Sequence, residues 1–530
     1  MKRVSKEEIC DAICYVKKSS DNLQNNIPRR VFKQFSKELC KPLVYLFNSI
    51  LYTSQIPNNF KISRCTPLYK GKGKMTSSSS YRAIFGLNFI TKVFERVMYN
   101  RLNDMTKDLL CNKQHGFRNQ RSTETATAYF TQKVYEGVDK CNGKIIAVFV
   151  DFKKAYDTIR HDLLLKKLTE KFEGKIEPYM LKLLQNYFTD RKFRVINGEF
   201  ISDLFNIKSG TPAGSINSTL IFSLFINDIK EAMGEVDFVL YCDDLVFFLD
   251  ATNLEEGLKK INECFTRLCN WCDTNSLIVN ASKTKAMLFH KAKDSKSKGV
   301  LGNSISLNGV DIEVVDNFKY LGVIIDSALT FESHYEKVEK KMNCALKKLY
   351  SIKRYFTNKL VKSLVSCYVM SIPDYCLSVW SVHTKLELDH LQKKVNRFLL
   401  NYYHPVSKKK KKSRKKNSKL VCVNDLLKSN NFLTIYERRQ MTLARFVRKE
   451  LAQPIFDKWF VKSMLSDYPI VRLKLDTMKS KQYNNSVKAS SIMIWNQFVS
   501  DCKPTSKTGG AKFLRMCAEM LVKKRDNYFV

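Results

Sequence analysis

The sequence lacks long apolar runs. It contains no stretch of roughly 18 apolar residues, so it predicts no membrane span. The first residues, MKRVSKEEIC, also lack the apolar segment of a signal peptide. Sixteen cysteines without a secretory signal indicate free thiols in a reducing compartment, and we expect a nuclear and cytoplasmic location.

Acidic residues are scarce relative to basic ones. The chain has 51 Asp and Glu against 91 Lys and Arg, which gives a formal net charge of +40. So basic a surface attracts polyanions, and nucleic acid is the expected partner. A ribosome-like or membrane-surface role would also fit the charge alone. Because 530 residues exceed a single core, about two to four domains are expected.

The densest basic segment is 408–416 (KKKKKSRKK), with eight basic residues in nine. It has no apolar side chain to bury, so a mobile linker is predicted. Three interpretations stay open: a nuclear import signal, an RNA clamp, and a solvated linker with neither role.

Two adjacent acids interrupt an apolar region at Tyr241-Cys242-Asp243-Asp244. The flanking runs 236–240 (VDFVL) and 245–249 (LVFFL) are typical of buried strands, so the acids are predicted at the bend of a hairpin. Ionised carboxylates at the edge of a core are unfavourable unless a cation compensates them. Hard oxygen ligands suit Mg²⁺ or Mn²⁺, and the pair therefore indicates a divalent metal site.

A third acid, Asp151, ends the apolar strand 145–150 (IIAVFV), about ninety residues before Asp243. Acids on neighbouring strands are the arrangement that two-metal phosphoryl transfer needs, with ions ~3.5–4 Å apart. The alternative is that Asp243 and Asp244 are ordinary turn residues and that Asp151 caps the following helix.

A second possible metal group consists of Cys264, Cys269 and Cys272, with His290 downstream. The four-residue gap between Cys264 and Cys269 is unusual for zinc. Cys264 and Cys272 also lie on a helix-like segment with other apolar residues. We therefore prefer structural cysteines to a zinc site.

Short motifs follow one another in order along most of the chain. They are Lys61-x5-Pro67-Leu68-Tyr69-Lys70, Tyr81-Arg82-Ala83-Ile84, His115-Gly116-Phe117-Arg118, Asp151-Phe152-Lys153-Lys154-Ala155-Tyr156-Asp157, Gly210-Thr211-Pro212-Ala213-Gly214-Ser215, Ile226-Asn227-Asp228, Tyr241-Cys242-Asp243-Asp244, Asn280-x2-Lys283-Thr284-Lys285, Tyr320-Leu321-Gly322, Pro373-Asp374-Tyr375-Cys376 with Trp380, 434–439 (TIYERR) and Trp495-Asn496. In this order they resemble the motifs of reverse transcriptases from non-LTR (LINE-type, jockey-like) retrotransposons.

The resemblance implies an α+β right-hand polymerase with fingers, a ferredoxin-like palm sheet, a helical thumb and a helical C-terminal extension. We expect the palm sheet to carry helices on one face. The expected regions are a helical N-terminal extension (1–60), fingers and palm (61–330), the thumb (331–405), a basic linker (406–419) and a helical C-terminal region (420–530).

The resemblance also implies the residues of the reaction centre. Asp151, Asp243 and Asp244 would be catalytic and would bind two Mg²⁺ ions, or Mn²⁺, together with the backbone carbonyl of Phe152. The residues implied to contact the incoming nucleotide are Lys70, Arg82, Tyr156 and Gly214. The aromatic ring of Tyr156 favours a DNA product, because in the family it excludes a 2′-hydroxyl. A plain core role for Tyr156 and solvated roles for Lys70 and Arg82 are the alternatives.

Template and primer contacts are implied for a further set of residues: Gly116, Phe117, Arg118, Gly210, Tyr320, Leu321 and Gly322. Lys283 or Lys285 would protonate the departing pyrophosphate, and the sequence does not distinguish them.

Three departures from the family pattern are present. Ala213 replaces a Gln that touches the nucleotide, Ala83 replaces a Pro, and Asn217-Ser218-Thr219 replaces Leu-Gly-Pro. Loss of the Gln contact could weaken nucleotide binding by ~1–3 kcal/mol. A catalytically weak or inactive nucleic-acid-binding derivative is therefore the main alternative, and a group II intron maturase is another.

The implied partners are an RNA template, a DNA primer or target, and dNTPs. The 60 residues before the first motif are too short for the endonuclease that elements of this type usually carry. No RNase H pattern is apparent after residue 420. We therefore expect endonuclease activity to be supplied elsewhere, by a longer polyprotein or by another protein.

Overall fold

The computed structural model describes residues 2–16, 29–140, 143–212, 214–291, 305–307, 310–381, 385–403, 426–427, 432–452, 454–456, 459–460, 473, 486–502 and 510–523. Ala213 and the basic linker 406–419 lie outside the described residues. None of the described helices is both long and apolar enough to cross a membrane.

The N-terminal part is helical and is followed by a mixed fingers region. Its helices and strands are α1 (Lys6–Tyr15), α2 (Arg29–Gln34), α3 (Ser36–Thr53), β1 (Ile62–Tyr69), β2 (Tyr81–Gly86), α4 (Phe89–Thr106) and α5 (Thr123–Val138). Side-chain caps begin several helices. Asn88, for example, accepts a hydrogen bond from the backbone N–H of Thr91 at the start of α4.

Strands and helices then alternate through the palm. They are β3 (Ile145–Val150), α6 (Ala155–Thr158), α7 (His161–Glu170), α8 (Pro178–Phe188), β4 (Lys192–Asn197), β5 (Phe200–Ile201), β6 (Phe205–Asn206), α9 (Ser218–Phe225), α10 (Ile229–Met233), β7 (Asp237–Tyr241), β8 (Asp244–Asp250), α11 (Leu254–Thr274), β9 (Lys285–Phe289), β10 (Ser306–Leu307), β11 (Val310–Asp311), β12 (Glu313–Val314), β13 (Asn317–Tyr320) and β14 (Val323–Asp326).

The described remainder of the chain is helical. It consists of α12 (Glu332–Ile352), α13 (Asn358–Leu364), a π-helical segment (Val365–Met370), α14 (Ser371–Asp374), α15 (Leu377–Trp380), α16 (Lys385–Tyr403), α17 (Ile435–Ala452), α18 (Val487–Cys502) and α19 (Gly510–Lys523). The predicted α+β class with helical thumb and tail is confirmed.

Two larger sheets organise the first two thirds of the chain. The palm sheet has the order β12-β9-β3-β8-β7, with β3 antiparallel to both β8 and β9. The fingers sheet has the order β2-β1-β4-β5, and β6 also pairs with β4. The central palm position of β3 determines where the residue after it, Asp151, lies.

The palm sheet is covered on both faces. Strand β3 is buried at all six positions, and its alternate residues point to opposite sides. Ile146 and Val148 join a core that includes α11, whereas Ile145 and Phe149 join a core that includes α5. Our expectation of helices on one face is therefore wrong. A strand that is apolar on both sides needs cover on both sides.

Residues 434–439 (TIYERR) form the N-terminal cap and first turn of α17 and link this helix to the thumb. The backbone N–H of Glu437 donates to Thr434 Oγ1 at 3.2 Å, and that of Thr434 donates to the Glu437 carboxylate at 2.8 Å. This reciprocal pair is a capping box. Arg438 makes two hydrogen bonds to the Asp374 carboxylate, one of them 2.8 Å long. Arg439 donates to the Ser381 carbonyl at 2.8 Å. The helical tail therefore packs as part of the body that contains palm and thumb.

Candidate active site

The acidic pair lies on a tight hairpin between β7 and β8. Tyr241 pairs with Asp244, so Cys242 and Asp243 are the two turn residues. Cys242 has a φ of 61°, the left-handed conformation that two-residue hairpin turns require at their first position. Gly usually occupies that position. A side chain there costs about 1–2 kcal/mol, so other contacts must hold the turn.

Asp151 lies at the same edge of the sheet. Val150 pairs with Leu245, so the next residue on each strand brings Asp151 opposite Asp244. Burial raises the pKa of Asp243, and Asp151 adds to that rise. Burial also raises the pKa of Asp244 to about 6, with Asp243 and Asp151 contributing. The three carboxylates are therefore close enough to repel one another.

The motif around Asn280 folds directly against Asp151. Asn280 Nδ2 donates to Asp151 Oδ2 at 2.9 Å, and its backbone N–H donates to the Asp151 carbonyl at 2.7 Å. Lys283 Nζ lies 3.6 Å from the same Oδ2. Lys285 instead donates to Glu313 at 2.6 Å and to the Ser282 carbonyl at 2.7 Å. Of the two candidate lysines, Lys283 is thus the one that faces the carboxylates.

The chemistry of this donor set fits hard divalent cations. Among the described residues, no group of three or more His, Cys, Asp or Glu side chains is arranged to hold a metal as it stands. Asp151 nevertheless raises the pKa of both Asp243 and Asp244, and a divalent cation would offset this excess of negative charge. Phe152 follows Asp151 and bridges to Val279, which leaves its backbone beside the acids.

Tyr156 lies beside the hairpin. Its ring stacks on Phe222 with centroids 4.3 Å apart, and its hydroxyl interacts with Cys242. Burial raises the pKa of this hydroxyl, and Cys242, Asp243 and Asp244 raise it further. The tyrosine is half-buried, so part of it remains accessible to solvent.

Two glycines of the 210–215 loop allow close backbone contacts. A Cβ at Gly210, where φ is 88°, would lie 2.9 Å from the Asp157 carbonyl oxygen. A Cβ at Gly214, where φ is 81°, would lie 2.2 Å from the Phe85 carbonyl oxygen on β2. The resemblance implies template or nucleotide contacts for these glycines, and in this structure both approach the protein's own backbone closely. Ala213, between them, lies outside the described residues.

A buried polar network supports the same loop, and the sequence analysis missed it. The Tyr187 hydroxyl donates to Glu95 at 2.5 Å and shares a hydrogen bond of 2.7 Å with the Ser215 hydroxyl. Glu95 also accepts from the backbone N–H of Ile216 at 3.0 Å. Burial raises the pKa of Glu95, whereas nearby Arg191 lowers it. A lone acid on an otherwise apolar helix face was the available signal.

The two basic residues assigned to the fingers lie near each other. Arg82 on β2 pairs with Leu68, two residues before Lys70. The Lys70 ammonium donates to the Ser79 carbonyl at 2.7 Å, inside its own loop. Both side chains are exposed, and no hydrogen bond joins the Arg82 side chain to the part of the chain that is described.

The loop with Gly116, Phe117 and Arg118 packs against the acidic hairpin. Arg118 donates to the carbonyl of Cys111 at 2.7 Å and approaches other backbone carbonyls, so its guanidinium is used inside the loop. Phe117 is 55% exposed with a φ of 54°, which leaves its ring available at the surface. Gly116 lies against the turn, because a Cβ there would be 2.4 Å from the Cys242 nitrogen.

Tyr320, Leu321 and Gly322 form the end of the β13–β14 hairpin. The Tyr320 side chain is buried at 3% exposure among Phe130 and Phe149, so only the turn faces outward. The Tyr375 hydroxyl donates to the Leu321 carbonyl at 2.7 Å. The Pro373–Cys376 motif of the thumb thus holds the turn, a role that its sequence did not suggest.

The possible zinc group does not assemble in the described part of the chain. Cys264, Cys269 and Cys272 are buried on α11, and burial raises the pKa of each thiol. The His290 ring bonds the carbonyl of Lys291 instead. These cysteines behave as core residues.

The chain matches known proteins over its central part. Residues 70–325 match the family described as "Reverse transcriptase (RNA-dependent DNA polymerase)". The chain is 27% identical over 414 residues to "Probable RNA-directed DNA polymerase from transposon BS" of Drosophila melanogaster, covering 75% of this chain and 44% of that protein. It is 23% identical over 404 residues to "RNA-directed DNA polymerase from mobile element jockey" of Drosophila funebris, covering 73% and 43%.

A solved structure of apo telomerase from Candida tropicalis, truncated from its C-terminal domain, aligns with a TM-score of 0.36. The identity is 14%, over 59% of this chain and 62% of that chain, too low a likeness to support any conclusion. The chain spans less than half the length of the two curated relatives named above. Residues 70–325 thus match the reverse transcriptase family, and the chain is similar to the polymerases of mobile elements such as jockey.

Proposed function

We propose that this chain is an RNA-directed DNA polymerase of a non-LTR retrotransposon. It would copy an RNA template into DNA from a primer 3′-hydroxyl at a nicked chromosomal target, with the nick made by an endonuclease supplied elsewhere. The proposal rests on one observation: Asp151, Asp243 and Asp244 lie together at one edge of the palm sheet.

Two Mg²⁺ ions, when bound by these carboxylates and the Phe152 carbonyl, would activate the attacking hydroxyl and stabilise the leaving oxygen. The chain's own residues would then orient the reactants. The half-buried ring of Tyr156 would lie beneath the sugar of the incoming dNTP. Exposed Lys70 and Arg82, on one edge of the fingers sheet, suit its triphosphate.

Lys283 is our candidate for the general acid. Its side chain is 69% exposed and its ammonium lies 3.6 Å from Asp151, so it could reach a phosphate bound by cations at this acidic edge. The departing pyrophosphate would take a proton from this ammonium as the P–O bond breaks. Lys285 is engaged with Glu313 and Ser282 and is less free to move.

Among the proposed template and primer contacts, Phe117 is exposed and the turn 321–322 is half-buried. The net charge of +40 supports binding of both RNA and DNA. We also propose a nuclear and cytoplasmic location. All fourteen cysteines in the described residues are free thiols, as a reducing compartment allows.

Primer extension with Mg²⁺ on poly(rA)/oligo(dT) tests the proposal. The double variant Asp243→Asn, Asp244→Asn should lose dNTP incorporation, because it removes two of the three charged metal ligands. Asp250→Asn is the matched control, since Asp250 ends the same strand about 20 Å away and pairs with Lys140. Undiminished activity in the double variant refutes the metal assignment.

A catalytically silent nucleic-acid-binding derivative is the second candidate. Asn217 favours it, because this amide is fully buried beside the 210–215 loop and neither of its side-chain polar atoms has a hydrogen-bond partner among the described residues. Such a defect would weaken the loop. RNA binding without extension by the purified chain would support this candidate, whereas extension excludes it.

A further inference from the structure

Residues 113–116, which we call the brace, hold the catalytic turn by backbone hydrogen bonds. The N–H of Leu240 donates to the Lys113 carbonyl at 2.9 Å, and that of His115 donates to the Leu240 carbonyl at 2.7 Å. Gln114 Oε1 accepts from the N–H of Cys242 at 3.1 Å and from that of Gly116 at 2.7 Å. The brace therefore contacts the residue that immediately precedes Asp243.

Two aromatic residues of the C-terminal region cover the brace. Phe456 stacks on His115 with centroids 6.0 Å apart and on Tyr129 at 5.8 Å. Trp459 lies almost parallel to Tyr129, at 7°, and stacks on Phe456 at 4.2 Å. Both are buried, each 5% exposed.

The aromatic pair is itself fixed at both ends. The carboxylate of Glu450, on α17, accepts from the backbone N–H groups of Ile455 and Phe456 at 2.9 and 3.2 Å. On the palm side, the Tyr129 hydroxyl donates to Asp237 at 2.9 Å at the start of β7. Lys113 of the brace also contacts both Tyr129 and Asp237. A continuous series of contacts thus joins α17 to Lys113 and His115 of the brace.

We propose that Phe456 and Trp459 position the catalytic turn through the brace, so that the C-terminal region is a positioning element of the polymerase centre. Cys242 has a left-handed backbone conformation, which is unfavourable unless neighbouring groups hold it. The brace supplies such contacts to the turn. The inference rests on the proposed function for its kinetic consequence, but its structural consequence can be measured independently.

The test compares Phe456→Leu with Phe513→Leu in the full chain. Phe513 is the matched control because it is 0% exposed in the same C-terminal region and packs on Trp495, a different aromatic partner. Hydrogen exchange is followed by mass spectrometry in peptides that contain the amides of His115, Gly116, Leu240 and Cys242. Single-turnover dNTP addition and primer–template Kd are measured on the same samples.

We expect Phe456→Leu to speed exchange in both the brace and the turn. It should also lower the rate of dNTP addition by about tenfold with an unchanged Kd, because we expect the turn to shift by less than the ~1 Å that costs ~10²-fold. Phe513→Leu should leave both readouts at the wild-type value. If a Leu variant does not fold, the pair Phe456→Met and Phe513→Met, whose flexible side chains fill irregular core gaps, replaces it.

Equal exchange and equal rates in the two variants overturn the inference. If the wild-type chain adds no dNTP at all, the proposed function fails, and the exchange rates of the brace and turn peptides alone decide whether the C-terminal region holds the turn. Faster exchange at the brace in Phe456→Leu then supports the positioning role without any polymerase activity.

Discussion

Gly214→Ala is a severe perturbation, because the loop and the fingers sheet meet there without room for a side chain. The added Cβ would lie 2.2 Å from the Phe85 carbonyl oxygen and 2.7 Å from its carbonyl carbon, where contacts below 3.0 Å are essentially never seen. Both neighbours are backbone atoms, so no rotamer change relieves the contact. The 210–215 loop must move from β2 by about 0.8 Å to restore 3.0 Å.

The consequence for the proposed activity follows from this displacement. A shift approaching 1 Å costs about 10²-fold in rate when it misplaces reacting groups. We therefore expect single-turnover dNTP addition to fall by about that factor. The left-handed φ adds a folding cost of about 1–2 kcal/mol, which the control must reproduce.

Gly174→Ala is that control. Gly174 has a φ of 68°, close to the 81° of Gly214, but a Cβ added at Gly174 would meet nothing within 4 Å. The Gly174→Ala variant should lose a similar free energy of unfolding in urea, and its rate of dNTP addition should stay at the wild-type value. Equal rates in the two variants would show that the contact with Phe85 does not position the loop, and the reasoning would be refuted.

Two smaller changes test other contacts. Tyr375→Phe removes the hydrogen bond to the Leu321 carbonyl and should weaken primer–template binding by about fivefold, since such a bond contributes about 1 kcal/mol. Fluorescence anisotropy checks this against Tyr368→Phe, which has the same exposure and no hydrogen bond to the described residues, and an equal effect in both variants would contradict it. Asn217→Ala removes two buried atoms that have no partner in the described part of the chain, so its urea midpoint should stay level or rise. Asn275→Ala removes a 2.7 Å bond to the Trp271 carbonyl and should lower the midpoint, whereas equal falls would show that Asn217 has an unseen partner.

The catalytic edge was accessible to sequence reasoning because its signals are local. Apolar runs on both sides of Asp243 and Asp244 indicated a hairpin, and the structure has β7 and β8 there. The six apolar residues before Asp151 indicated a buried strand, which is β3. The same six residues also implied cover on both faces, a consequence that we did not draw.

The roles of single side chains were less accessible, because they depend on residues far apart in the chain. Lys283 and Lys285 are two positions apart in one motif. They differ in their acidic neighbours, since Lys283 lies near Asp151 and Lys285 pairs with Glu313. The resemblance implies a template or primer contact for Arg118, but its guanidinium donates to a carbonyl of its own loop.

By itself, the sequence determined the α+β class and the resemblance to reverse transcriptases, and it predicted the three acids, since each depends on residue types in consecutive or regularly spaced positions. The tertiary structure alone decided what holds the acids in place. The brace, Tyr375 and Phe456 act across tens to hundreds of residues, and such contacts arise only when buried surfaces are packed together. Local patterns specify strands and turns, whereas packing specifies which side chains meet.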